Sequence, residues 1–587
     1  MLFKAYPAYS VKSIADSYDF IIIGGGTAGC VLANRLSKDR NVTVLLLEKG
    51  GVSNGWISRV PILSSAFVGD SSRSRHWKCQ PQQHVDNRVL ELTTGESLGG
   101  TSKINAMLYT RGLPAEFDGW SAAGCNGWSY AELKKYFTQS ERALDESVQN
   151  LEAFHGVTGE WENRSYGTMQ WEHSNHIIRA TSAMGIPYVE DLNSPLQPPH
   201  GCAKMHYTIN KTGERSSTLS AFLPDSIVHE RKGHLHVCTF AHVYKVSVQS
   251  DATSQLRCEG IYVEDARTGD KPRFIRARRE IILSAGALAS PKVLMLSGIG
   301  PVDHLREHHI SPVKELSGVG THLQDHLAVP MQYQVPLHDS LVKLQLQPLL
   351  FLIEIVLYLF FGRGLLLCPV VELSIFIQTR LFDKTMRRMF SSEKNCDASL
   401  PENLPDVEVM PVSYGKPDDC TLSKQGGLAF LTALLRPLST GTVRLASGDP
   451  LDEPVVDPNY LASKHDMEVL RRGLKFVKQL KPHMVTQGYR ITDHLVPRDD
   501  PDGDLDAFIR KHCMTTFHYT STCRMASEKD GGVVDSQLRV HGVQGLRVAD
   551  ASIFPYIPGT HLAAVAVLVA EKCADMVLQS FREDQAS

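Results

Sequence analysis

The period of the apolar residues changes twice near the N-terminus, and those changes predict the first unit of the chain. In YDFIIIGGGTAGCVLANRLSKDRNVTVLLLE, Asp19 to Ile23 is a short, mostly apolar run that reads as a strand. Cys30 to Leu36 reads as a helix, and Val42 to Leu47 as a second strand that delivers Glu48 and Lys49. The turn between strand and helix places Gly24, Gly26 and Gly29 at the spacing of a dinucleotide fingerprint, with Thr27 and Ala28 inside it. The first glycine permits the tight turn, the second lets backbone approach a pyrophosphate, and the third lets the helix pack on the strand. The helix directs free N–H groups and the positive end of its dipole at that pyrophosphate. Glu48 stands where an acid accepts hydrogen bonds from the hydroxyls of an adenosine ribose. A glycine-rich turn alone would be weak evidence; with strand, helix and acid around it, dinucleotide binding follows, and NAD and FAD both remain open.

Other patterned stretches extend this unit. A second glycine cluster runs from Thr94 to Gly112, where Gly99, Gly100, Thr101, Ser102 and Asn105 make a turn able to approach a flat ligand. His236 to Val248 alternates as one strand leading into a hairpin through Val263, and Glu280 to Ser284 is a strand followed by a turn and a helix opening at Ser290-Pro291. Farther on, Met467 to Leu480 has helical periodicity and Val407 to Val412 has β alternation. Pro348 to Phe361 is apolar almost throughout, with Glu354 in its middle, and is too short for a comfortable membrane span. It is expected to be a buried or pocket-lining helix, with docking to a membrane surface as the competing reading.

Composition narrows the function classes. The 587 residues suffice for two or three domains. A net charge of −3 without any basic run argues against nucleic acid as a partner. The 12 cysteines form no CxxC pair, which disfavours a disulfide framework and a cysteine-rich metal site, so no metal is expected. The first residues lack the apolar region of a secretory signal and the last four form no peroxisomal or retention address, so the expected location is cytoplasmic.

The segment from Gly286 through Ser290-Pro291 to Ser297-Gly298-Ile299-Gly300 resembles the second signature of the glucose-methanol-choline family of flavin oxidoreductases, and Gly95 to Asn105 resembles the first. GVGTHLQDH (Gly318 to His326), RPLSTGTVRLASGDP (from Arg436), HYTSTCRM (from His518), GLRVADASIFP (from Gly545) and GTHLAA (from Gly559) resemble further family landmarks in the right order, so the resemblance covers nearly the whole chain. It implies an α/β protein with a Rossmann-like FAD domain assembled from residues 17–160, 206–325 and 514–582. It also implies a substrate domain with a largely antiparallel sheet and helices from residues 161–205 and 326–513. The cofactor becomes FAD, held non-covalently because Ile104 occupies the position where histidine-linked members tend to carry their histidine. By the same resemblance Gly24, Gly26, Thr27, Ala28, Gly29, Glu48, Lys49, Gly100, Thr101, Asn105, Ala106, Met107, Leu108, Val243, Asp550, Ala551 and Leu562 bind the cofactor. His518 matches the proton acceptor, and His561 the residue that holds the substrate oxygen. Histidine suits a base because its ordinary pKa lies near working pH.

The implied activity is oxidation of the CH–OH group of a small alcohol by hydride transfer to the flavin, with oxygen or a quinone-like molecule as electron acceptor. The apolar stretch favours an aromatic, aliphatic or polyketide-like alcohol over a free sugar. Three positions depart from the pattern: Glu96 where a basic residue is common, and Tyr519 and Ser521 in place of proline and glycine. The last two are expected to bring bulk and hydroxyls beside the base. They keep open a non-redox cyclase or lyase that uses FAD structurally, as versicolorin B synthase does.

Overall fold

The computed structural model describes residues 6–65, 72–145, 151–250, 254–368, 370–414, 425–498 and 502–586. Its first large sheet runs in the order Leu235–Thr239, Val44–Glu48, Ser17–Ile23, Arg273–Leu283, Leu256–Asp265, Ala241–Ser250. Two short strands are added to it, Leu546–Val548 on Arg273–Leu283 and Val543–Gln544 on Leu256–Asp265. The first four strands are parallel, and their runs of Ile, Val and Leu are buried on both faces, as a covered parallel sheet requires. Register sets Ile23 beside both Leu47 and Leu283, and Leu283 beside Val548. Four strands therefore end together, and the chain leaves them at Gly24, Glu48, Ser284 and Ala549. Outside the carboxyl ends of such strands is where open α/β sheets bind ligands.

The run from His236 to Val248 is two strands, not one. The chain breaks at Phe240, whose φ of +56° ends Leu235–Thr239 on the parallel edge and starts Ala241–Ser250 on the opposite, antiparallel edge. Alternation continues across the break, so periodicity alone could not locate it.

The second large sheet is ordered Thr492–Leu495, Leu327–Val335, Gly426–Leu434, Val407–Val412, Leu373–Ile377, Gly201–Lys204, Tyr188–Val189, with Met514–Thr515 paired to the start of Leu327–Val335. All its pairs are antiparallel except the last in that order. The helix Lys464–Thr486 covers one face, and lies so close that a Cβ on Gly473 would sit 2.5 Å from Thr432 Cγ2. Strand alternation then sorts Val407–Val412: Val407 and Val409 enter the core under that helix, whereas Met410 packs on the other face with Met107, Leu108, Ala328 and Ala433. Glu408 shares that second face.

The two ends of the chain are tied by charge. Arg35, in the helix Thr27–Leu36, donates to both carboxylate oxygens of Glu571 at 2.6 and 2.7 Å, and to Glu160 at 2.5 and 2.8 Å. Glu571 belongs to the C-terminal helix Ala563–Ala586.

Pro348–Phe361 is a helix, but it is not buried. Glu354 is its only buried residue, while Leu349, Leu352, Phe360 and Phe361 are 71, 58, 76 and 66% exposed. The acid turns inward because Glu354 Oε2 accepts the Leu365 N–H at 2.6 Å, and that bond points the apolar side outward. Among the described residues no helix is long and apolar enough to cross a membrane.

Candidate active site

The strand ends form a continuous track. Gly24 has φ +100°, and a Cβ on Gly29 would lie 1.9 Å from the Gly24 carbonyl oxygen, so the first and third glycines do what their spacing predicts. The helix Thr27–Leu36 begins at Gly26 without any side-chain cap, which leaves its first-turn N–H groups for another partner. The second glycine cluster docks alongside: Gly99 N–H donates to Gly25 O at 2.8 Å, Ser102 N–H to Thr27 Oγ1 at 3.3 Å, and a Cβ on Gly100 would lie 2.7 Å from Gly26 Cα. Gly24, Gly26, Thr27, Gly286 and Ala551 keep accessible surface although the strands feeding them are buried, and Ala28, Gly29 and Gly100 lie buried beneath them. A Cβ on Gly286 would meet nothing within 4 Å. Accessible backbone at four adjacent strand ends is compatible with an extended dinucleotide.

Glu48 lies at one end of the track, taking the N–H groups of Gly25 and Gly50 at 2.9 and 2.8 Å; burial pushes its pKa up to about 7. Lys49 pairs with Glu96 at 3.3 Å, so the acid at the departing position has a cation of its own. Phe240 N–H donates to Gly50 O at 3.0 Å, which brings the strand of buried Val243 beside Glu48. Asp550 uses its carboxylate within the chain, accepting from Gly286 N–H, Ser290 Oγ and Ser552 N–H at 2.8, 2.6 and 2.7 Å, and so locks two strand-end turns together. Thr101 is exposed on the second cluster. Asn105 and Ala106 remain partly accessible, Met107 (φ +63°) and Leu108 are buried, and the buried Arg215 clamps Asn105 through its side-chain oxygen at 2.6 Å and its carbonyl at 2.7 Å. Leu562 is buried immediately before the C-terminal helix.

The two predicted histidines come together from residues 518 and 561, their ring centroids 5.4 Å apart and nearly perpendicular. A third joins them. His326 Nδ1 lies 2.9 Å from His518 Nδ1, and Thr516 Oγ1 lies 3.2 Å from the same nitrogen. Thr516 donates its own hydroxyl hydrogen to the His326 carbonyl at 2.8 Å, so toward His518 its oxygen acts as acceptor. This places the His518 proton on Nδ1 and the lone pair on Nε2. His326 then accepts at Nδ1 and carries its proton on Nε2. Burial, reinforced by the neighbouring imidazoles His326 and His561, holds His518 well below the ordinary histidine pKa. Burial likewise takes His326 down to about 3. Asp325 supports the loop from behind: it accepts the His518 backbone N–H at 2.8 Å and the hydroxyls of Thr515 and Tyr460 at 2.5 Å each, while burial raises its pKa to about 6.

His561 is held from the other sheet. Its Nε2 lies 3.1 Å from Glu408 Oε1, which also accepts the Ser374 hydroxyl at 2.5 Å. Burial acts to raise the Glu408 pKa, but the adjacent His561 overrides it and keeps the carboxylate ionised. His561 N–H donates to Thr110 Oγ1 at 3.1 Å. His326, Asp325 and Glu408 were not among the residues expected at the site. The first two end the GVGTHLQDH segment, and the third is a lone acid in a β-alternating run, so a signal existed for each.

The departures at 519 and 521 do not crowd the base. Tyr519 packs its ring into the core beneath the antiparallel sheet, with its hydroxyl 3.4 Å from Thr515 Oγ1. Ser521 is fully buried, its hydroxyl donating to Thr520 Oγ1 at 3.1 Å, and its φ of +71° explains why glycine suits the position.

Residues 18–328 match the sequence profile of the N-terminal GMC oxidoreductase domain, and residues 437–570 match that of the C-terminal domain. The chain belongs to the GMC oxidoreductase family. It is 33% identical over 585 residues to dehydrogenase str4 of Strobilurus tenacellus, covering 96% of this chain and 94% of that protein. It is also 33% identical over 576 residues to an oxygen-dependent choline dehydrogenase of Ectopseudomonas mendocina, with the same two coverages of 96% and 94%. Among solved structures, an FAD-dependent oxidoreductase from Chaetomium thermophilum superposes with a TM-score of 0.84 at 26% identity, covering 96% of this chain and all of that one. A formate oxidase variant from Aspergillus oryzae gives 0.85 at 26% identity, covering 97 and 99%. Like the family, this GMC protein is an FAD-dependent oxidoreductase, and the accessible backbone at the four strand ends is compatible with such a cofactor.

Proposed function

We propose that this GMC enzyme oxidises the CH–OH group of a small alcohol, with His518 as the base. The observation that carries this reading is the pairing of His518 with His561, ring centroids 5.4 Å apart, with Thr516 and His326 both engaging His518 Nδ1 and so leaving Nε2 as its accepting nitrogen. Bound FAD supplies the hydride-accepting ring. His518 Nε2 takes the hydroxyl proton, and His561 holds the substrate oxygen. Glu408 fixes the His561 ring by accepting from its Nε2, which leaves Nδ1 for the oxygen. Residues 17–160, 206–325 and 514–582 serve the cofactor and residues 161–205 and 326–513 the substrate. The first turn of Ala563–Ala586 directs its dipole at the pocket, where it stabilises developing negative charge. Gly24, Gly26, Thr27, Ala28, Gly29, Glu48 and Lys49 hold the adenosine-pyrophosphate end, Gly100 to Leu108 and Leu562 the ring end, Val243 the adenine, and the Asp550-Ala551 turn the middle.

The relatives' names, choline dehydrogenase and formate oxidase, support oxidation of a small polar carbon centre without specifying this substrate. Oxygen or a quinone-like acceptor completes the cycle. The deciding experiment mixes the purified yellow protein anaerobically with a panel of alcohols and follows the oxidised flavin band. Bleaching that slows by roughly 10²- to 10⁴-fold in His518→Ala is expected. Persistent colour with every alcohol, combined with turnover of a cyclisable substrate, would overturn the reading in favour of a cyclase. FAD is held non-covalently, so acid precipitation releases the yellow colour into the supernatant; a yellow pellet would contradict this.

A further inference from the structure

The helix Pro348–Phe361 carries an apolar face that the enzyme does not cover. Leu349, Leu352, Ile353, Val356, Leu359 and Phe360 recur at helical spacing along one side, and each is 47 to 76% exposed. Over the eleven intervals from Leu349 to Phe360 this face is roughly 16 Å long at about 1.5 Å per residue. Trp56 packs edge-on against Tyr358 at 6.3 Å on the inward side of the helix, and its neighbour Ile57 is 59% exposed. The opposite side of the helix is anchored: Glu354 Oε2 accepts from Leu365 N–H at 2.6 Å and Tyr358 donates to Gly213 O at 3.3 Å. An acid and a tyrosine turned inward, with leucines and phenylalanines turned outward, reverse the usual polarity of a surface helix.

The rim of this face has a definite charge. Exposed Arg363 follows the helix directly after the Gly362 cap, and exposed Lys211 lies on the loop that accepts the Tyr358 hydroxyl; among the described residues neither meets an acid at ion-pair distance. The acids nearby are engaged, Glu354 on its backbone bond, Glu214 on Arg59 at 3.2 Å, and Glu162 on the Lys211 backbone N–H at 2.8 Å and on Arg142 at 3.7 Å. Two copies stacked face to face would bring these cationic rims together. An anionic lipid surface complements both features, taking the apolar side chains among its acyl chains and the cations at its headgroups.

We propose that Pro348–Phe361 docks the enzyme on the surface of a bilayer containing anionic lipid, lying in the interface without crossing it. The site beneath supports a use for the contact. Ile62 N–H donates to Leu366 O at 3.3 Å on the segment after the helix, and three residues on, Ser65 donates to the Asn105 carbonyl at 3.4 Å. The docked face is thus joined by one short segment to the loop that flanks the cofactor. The docking itself does not depend on the alcohol reading, and its test needs no substrate.

The test sediments the FAD-loaded enzyme with vesicles of phosphatidylcholine, with and without added phosphatidylglycerol. The enzyme is expected to pellet with the mixed vesicles, Leu352→Ser/Phe360→Ser to bind them at least about tenfold more weakly, and Arg363→Glu to lose the preference for the anionic lipid. Flavin absorbance and melting temperature show that the variants remain folded. Failure to pellet with either vesicle, or binding that the double variant leaves intact, would overturn the proposal. So would light scattering that shows a dimer dissolved by the same two substitutions, which would assign the face to a second copy.

Discussion

His518, the base of the proposed reaction, is kept neutral by its surroundings. Burial first, then His326 and His561, disfavour its imidazolium, so its pKa lies well below 6.5. A group shifted down keeps its base form to lower pH and loses it only as pH falls through the shifted value. The acid limb of kcat/KM in the free enzyme is therefore expected below pH 6.5, and a limb above that value, abolished by a His518 substitution, would contradict it. In the proposed reaction Glu408 acts through His561, whose Nε2 lies 3.1 Å from its carboxylate. Replacing it by Gln keeps the shape and removes the charge, so kcat should fall roughly 10- to 100-fold with FAD content unchanged, and Asp should restore part of the loss; wild-type kcat in Glu408→Gln would remove the assigned role. Ser521 tests backbone strain. A side chain in the left-handed region costs about 1 kcal/mol, and glycine gives back part of the gain through its freer unfolded chain, so Ser521→Gly should stabilise by no more than about 1 kcal/mol in thermal melts. A loss larger than that would mean the buried hydroxyl bond to Thr520 outweighs the strain. His518 and His561 could be read from their flanking motifs because each motif is local. Glu408 could not be assigned, since its partner lies 153 residues away and only the folded sheet places it there.

At the scale of elements, the fingerprint unit was readable because each of its parts is coded locally: β run, glycine turn, helix, second run and acid. Its third glycine makes the sharpest test. Within a helix alanine is better than glycine by about 1 kcal/mol, yet a Cβ at Gly29 would fall 1.9 Å from the Gly24 oxygen. The clash wins, because relieving it moves the helix off the strand at a cost of roughly 1 to 3 kcal/mol. Gly29→Ala should purify with little flavin, seen as a low flavin-to-protein absorbance ratio, and a yellow protein with full occupancy would show that the helix can shift freely. Two other elements could not be read from the pattern, for different reasons. The break at Phe240 interrupts a strand without interrupting its alternation, so no period marks it. Pro348–Phe361 is apolar around most of its circumference, and a helix without a polar stripe does not declare which side faces inward. Here the direction is set by the Glu354 bond to the Leu365 backbone, a tertiary contact.

The molecule as a whole is held across distant segments by buried charge, and this gives its stability a defined pH dependence. Glu141 is fully buried: it takes the Arg111 guanidinium, His155 Nδ1 at 2.9 Å, Asn163 Nδ2 at 2.9 Å and the Gly156 N–H at 2.7 Å, and His155 Nε2 continues to Asp191 at 3.0 Å. These residues join the strand Glu141–Ala143 to the loop at Asp191 and to the end of the second glycine cluster at Arg111. Burial opposes the charge on Glu141, but Arg111 and His155 prevail and bring its pKa down to about 2. Burial also opposes the charge on His155, and Asp191 and Glu141 prevail there, raising it to about 9. A depressed acid stabilises the fold above its unfolded pKa of about 4.5 and loses that contribution as pH falls toward 2. A raised histidine contributes fully below about 6.5 and loses its share as pH rises through 9. The cluster is therefore strongest between roughly pH 4.5 and 6.5, and its alkaline decline belongs to His155. In His155→Gln the ring can no longer titrate, so the melting temperature should be lower at pH 6 and should fall less steeply between pH 6.5 and 9 than in the unsubstituted protein. Thermal melts of the FAD-loaded enzyme across that range, read by intrinsic fluorescence and by flavin release, make the comparison. Parallel curves for the two proteins would place the alkaline decline elsewhere, and identical melting temperatures at pH 6 would show that the charged cluster does not hold these segments together.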